Sequence, residues 1–203
     1  MIKKTNKNSM RWIFMVLGIA LLVIGVAGVS YAAFSDKGEV QGTSVSVGSA
    51  DIKLFDDVGG VIEETNLVDS KTGPSFENIT QIWTDDYLVK LFNNANGQVN
   101  LFTNSDYETV NDPDDLRNDL YVEPIEWLDS DNDGFVSEGE EGQSYGKKSI
   151  VKWKTEGFDL GPMDSGNVRA FIMRFSTDEN GLSDSKQGTE ITFDFVFDAM
   201  GLE

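Results

Sequence analysis

An all-β, antiparallel sandwich of the jelly-roll or Greek-key kind, preceded by an N-terminal signal-peptide helix, is the fold that this sequence predicts. Three observations point to it. Apolar residues recur with a period of two after residue 40, clusters of Gly, Asn, Asp and Pro separate those runs, and the opening of the chain has the charge and hydropathy profile of an export leader.

The leader comes first in the chain. Lys3, Lys4, Lys7 and Arg11 make a basic opening, and Trp12 to Val29 is a run of eighteen residues without a charge. Ser30-Tyr31-Ala32 then sets small residues at −3 and −1 of a cut between Ala32 and Ala33. A lasting anchor is the alternative, because such a run reaches the lower end of a membrane span. Gly18, Gly25 and Gly28 in the run, and the lack of a basic stop-transfer cluster after Phe34, favour removal. The expected product is one sandwich domain, residues 33–203, secreted or held at the cell surface. It would meet a signal peptidase once, and a membrane only through the uncleaved leader.

The clearest strand is "ITFDFVFDA", with Ile191, Phe193, Phe195 and Phe197 on one face and Thr192, Asp194 and Asp198 on the other. In "VRAFIMRFS", Phe171, Met173 and Phe175 are expected inward and Arg169 and Arg174 outward. "TSVSVGSADIKLF", "DYLVKLFNN", "QVNLFTN", "DLYVEPIEWL" and "KSIVKWKT" supply the remaining alternations. Residues 56–80 read as a long surface connection, and helical periodicity after the leader is confined to a short turn near 113–118.

Charge and composition exclude several function classes. The whole chain carries −19; without the four leader cations, 12 basic residues face 35 acidic ones, a net −23. Such a surface repels phosphate backbones, so nucleic acid is not an expected partner, and self-association needs screening cations. There is no cysteine, hence no disulfide or thiol chemistry, and no histidine, hence no Ser-His-Asp triad and no HExxH zinc site. No catalytic residue is assigned.

One motif carries chemistry. In "DSDNDGFVSEGE", Asp129, Asp131 and Asp133 occupy positions 1, 3 and 5 of a calcium loop and Gly134 the turn at 6. Phe135 offers its carbonyl at 7, Ser137 stands at 9 and Glu140 at 12, while Val136 supplies the apolar residue that pins the loop to its support. Pro124 before the loop and glycines after it deny the paired helices of an EF-hand, so a structural calcium loop between strands, near 129–140, is expected. The alternative is a solvated acidic turn that binds nothing.

The cut site running into "AAFSD", the strand "TSVSVGSADIKL", the segment "DYLVKLFNNANGQVNLF" and the closing "ITFDFVFDA" together resemble the TasA and camelysin family of secreted bacterial matrix proteins. The resemblance implies a jelly roll that self-associates into biofilm fibres, the freed N-terminal segment of one subunit adding as a donor strand to the next. Ala33 to Val40, including Phe34, would be that donor; eight extended residues span roughly 26 Å. Camelysin-like relatives are also described as metalloendopeptidases, which this histidine-free chain does not support. A monomeric carbohydrate-binding module, stacking sugars on Trp83, Trp127 or Trp153, is the other alternative.

Overall fold

The computed structural model describes residues 44–47, 50–74, 76, 79–107, 112, 115–178, 180–182, 186 and 194–201. Ala32, Ala33, Phe34 and Val40, and with them the cleavage site and the donor segment, lie outside the described residues, as do Ile191 and Phe193.

In chain order the strands are β1 (Ser44–Val47), β2 (Ile52–Phe55), β3 (Leu67–Val68), β4 (Ser70–Thr72), β5 (Thr84–Asn93) and β6 (Val99–Asp106). They continue with β7 (Leu120–Trp127), β8 (Glu141–Ser144), β9 (Lys148–Ser149), helix α1 (Ile150–Glu156), β10 (Phe158–Met163), β11 (Val168–Thr177) and β12 (Asp194–Gly201). One sheet has the order β10-β6-β12-β1-β4; the other runs β3-β2-β5-β11-β7-β8, with β9 also on β7. Among the described residues every pairing is antiparallel except β1 on β12, where Val45 to Val47 lie beside Phe195 to Phe197. The described residues are therefore predominantly β and mainly antiparallel, as the period of two predicts.

The two sheets share one core. Phe195, Phe197 and Ala199 of β12 and Leu101 of β6 meet Leu91 of β5, Val122 of β7 and Phe171 of β11, all buried. The rings of Phe171 and Phe197 stack across the sheets with centroids 6.2 Å apart. Each fully buried large apolar side chain contributes about 1.5–3 kcal/mol, so this contiguous cluster is the main source of stability.

Three local expectations are corrected. "KSIVKWKT" is not a strand beyond Ser149. The Ser149 hydroxyl accepts from the Lys152 N–H at 3.4 Å, Ile150 and Trp153 bury at a spacing of three, and Gly157, at φ +61°, ends the helix. In β11, Phe171, Met173 and Phe175 do face the core, but Ala170 and Ile172 are buried on the opposite face. Arg169 shares the parity of Phe171, and its guanidinium lies 5.0 Å from that ring while bonding Glu126 and the Tyr145 hydroxyl. Residues 56–80 are not wholly irregular, since they contain a 3-10 turn at Glu64–Asn66 together with β3 and β4. The turn expected near 113–118 is a 3-10 turn at Leu116–Asn118, whose first N–H bonds Oδ1 of the buried Asp112 at 2.7 Å.

The opposite face of β11 belongs to a second, smaller core. Ile125, Trp127, Ala170 and Ile172 form it, and Val58, Leu88 and Val136 pack on it. Val58 comes from the turn after β2 and Val136 from the acidic segment between β7 and β8, so both loops fold over the outside of this sheet. Val136 is thus the pin that the motif predicts.

Candidate metal centre

The acidic segment starts where β7 ends, at Trp127, and returns at β8, from Glu141. Asn132 and Gly134, at φ +57° and +79°, turn it back on itself. Short local bonds hold the turn: Oδ1 of Asp131 accepts from the Asp133 N–H at 3.3 Å, and Oδ1 of Asp133 from the Phe135 N–H at 2.8 Å. As a result one carboxylate oxygen each from Asp129, Asp131 and Asp133 falls within 4.8 Å of the others.

Asp129 differs from its two exposed neighbours. Its side chain is 3% exposed and bonds through Oδ2 to the ammonium of Lys90, itself 6% exposed in the side chain. The other oxygen, Oδ1, is buried and has no hydrogen-bond partner. A buried carboxylate oxygen left without a donor costs on the order of 1–3 kcal/mol or more, and a cation at the trio would remove that cost. Three carboxylates against one ammonium leave the cluster at −2. Oxygen ligands of this kind suit a hard cation such as calcium, which takes six to eight of them.

Lys90 is reached from β5. It is paired in register with Ala170 of β11, and the small alanine leaves room for the lysine stem to cross towards β7. The ammonium stands 4.9 Å from the Trp127 ring, a cation–π contact that adds to the ion pair.

Glu140 stands apart from the aspartates. Its Oε1 accepts from the Ser130 N–H at 3.0 Å and the Ser130 hydroxyl at 3.3 Å; Oε2 accepts from the Ser137 N–H at 3.0 Å and the Trp127 indole at 3.3 Å. Those bonds, the Ser137 N–H first, hold its carboxyl below the ordinary carboxylate value, against the opposing effect of burial. In this structure Glu140 closes the two ends of the loop, and the two oxygens that the motif assigns to an ion are engaged with the protein. Phe135 is 71% exposed, and Ser137 contributes its N–H to the Glu140 clasp.

The loop also meets a second turn. A Cβ on Gly134 would stand 2.7 Å from the Gly59 Cα, so the two backbones touch where only glycine fits. The Gly59 turn is stapled by Asn66, which accepts from the Asp57 N–H at 2.7 Å and donates to the carbonyls of Asp57 at 3.0 Å and Val61 at 3.1 Å. Between the turn and the acidic loop lies a groove of about 750 Å³ floored by Lys90, Trp127 and Ala170, with exposed Val61, Ile62 and Leu128 on its rim.

Sequence reasoning missed Lys90 and the Gly59–Gly134 contact. The one signal for the first was a lysine inside the apolar run "YLVKLF"; its partner is 39 residues away. Trp127 and Trp153 are buried, and Trp83 packs partly buried against the main core. No protein-family model matches the chain, and no curated protein or solved structure matches it either.

Proposed function

We propose that this chain is a secreted structural subunit of extracellular matrix fibres: a jelly-roll sandwich, with calcium fixing the 129–140 loop, that self-associates by adding the N-terminal segment of one copy to the sheet of the next. The single observation that carries this reading is the placement of β1. Shortly after the 33–40 segment the chain enters one sheet as β1, which among the described residues pairs parallel to β12 over Val45 to Val47 and antiparallel to β4 over Ser44 to Ser46. A short strand set between two others marks a place in this sheet that an N-terminal strand of another copy can take, and head-to-tail exchange whose rotation does not close a ring gives a filament.

Two of the four sheet edges are protected. β10 is blunted by Pro162 and a register shift between Asp159 and Gly161, and β8 is short, polar and exposed, so neither favours edge-to-edge pairing. The resemblance to TasA and camelysin sequences supports the same reading. The buried tryptophans weigh against the carbohydrate-binding alternative. Calcium serves here both as the ion for the aspartate trio and as the screen that lets a chain of net −23 approach its copies.

Electron microscopy of the secreted form, with calcium and with chelator, tests the proposal. Filaments that form with calcium and are sparse without it are the expected result. A monodisperse monomer in both conditions would remove the fibre reading.

A further inference from the structure

We propose that Lys90 is a built-in counter-cation of the metal centre: its ammonium holds Oδ2 of Asp129 so that the loop stays docked without calcium, leaves Oδ1 for the ion, and lowers calcium affinity in exchange. The inference rests on the calcium reading of the 129–140 loop.

The two oxygens of Asp129 have different surroundings. Oδ2 is bound to Lys90, whereas Oδ1 is buried without a partner. A ligand in position 1 held by one oxygen and free at the other is oriented before the ion arrives. The pair is also what ties the loop to the sheet at this end, because Lys90 belongs to β5 and Asp129 follows β7, with Ala170 of β11 between them. Without calcium the ammonium compensates the most buried of the three carboxylates.

That compensation carries an opposing consequence. Calcium affinity in loops of this kind follows the number of ligand charges, and Lys90 holds the trio at −2 where its removal would leave −3. A positive charge on a ligand's second oxygen also repels the incoming ion directly. Lys90 therefore stabilises the calcium-free loop while weakening the calcium-bound one, and it acts as a positioning residue through Asp129.

The test combines calorimetric calcium titration with calcium-free melting of the full mature chain, for the parent, Lys90→Met, Lys90→Gln and Lys90→Arg. Lys90→Met keeps the apolar stem over Trp127 but removes the charge. It should melt several degrees lower without calcium, yet bind calcium about tenfold more tightly. Lys90→Gln, which keeps a donor without the charge, should tighten calcium while losing less stability, and Lys90→Arg, which keeps the charge, should not tighten it. A Lys90→Met chain that folds only with calcium is the same result in its extreme form.

Calcium binding that weakens in step with stability would overturn the proposal and make Lys90 a packing residue. Unchanged affinity in Lys90→Met and Lys90→Gln would overturn it too. An intact mass short by one water would reveal an amide between Lys90 and Asp129 and replace the ion pair altogether. Absence of calcium binding in the parent and all variants would refute the calcium reading itself, an outcome distinct from equal binding in all of them.

Discussion

Replacing Gly134 with alanine should separate the acidic loop from the Gly59 turn, and the size of the effect follows from two terms. Gly134 sits at φ +79°, where an L side chain costs roughly 1–2 kcal/mol. Its new Cβ would stand 2.7 Å from the Gly59 Cα and 2.9 Å from the Gly59 nitrogen, backbone atoms that cannot rotate away, which adds about 1–3 kcal/mol. Gly139 is the control within the same loop: its φ is +89°, and nothing lies within 4 Å of a Cβ built there. Gly139→Ala should therefore lose only the conformational term, about 1–2 kcal/mol, and Gly134→Ala the sum, about 2–5 kcal/mol. Urea unfolding in chelator measures both, and the loss should exceed that of Gly139→Ala by a margin well above experimental scatter. If the two variants agree within about 0.5 kcal/mol, the loops are not in contact and the account of the groove between them is wrong.

Two further outcomes concern the same loop. The Glu140 carboxyl is held below its ordinary value of 4.5, so its contribution to stability is present above that pH and is lost as pH falls through the lower folded-state value. Melting temperatures of Glu140→Gln should accordingly start lower at neutral pH and converge on the parent in acid; parallel curves would show that the clasp is not ionised. Replacing Asp131 and Asp133 together with asparagine should leave the fold intact, since both side chains are exposed, but should abolish any calcium-dependent rise in melting temperature. An unchanged rise would place the ion elsewhere.

The parts of the fold legible in the sequence were those where one face alone is buried. Phe195 and Phe197 alternate with half-exposed Val196 and Asp198, and β12 follows that pattern residue by residue. β11 defeated the same reasoning, because Ala170 and Ile172 are buried by loops that a period of two cannot anticipate. Helix α1 was hidden for another reason: Val151 and Trp153, two apart, read as an alternation, whereas the pair that is buried is Ile150 and Trp153, three apart, and the deciding features are the Ser149 cap and Gly157. In the acidic loop the spacing of Asp129, Asp131 and Asp133 was readable, and one carboxylate oxygen of each does lie near the others. The diversion of Glu140 to Ser130, Ser137 and Trp127, and the arrival of Lys90 from another strand, depend on long-range packing that leaves little trace in local spacing.

The fibre proposal is tested most directly by following filament growth of the mature chain by light scattering in calcium while a synthetic peptide of residues 33–40 is added, beside a chain that lacks those residues. The account predicts a folded truncated chain that does not elongate, and growth of the intact chain that stops as peptide occupies the acceptor sheet. Normal filaments from the truncated chain, or growth indifferent to the peptide, would contradict strand donation by the N-terminal segment.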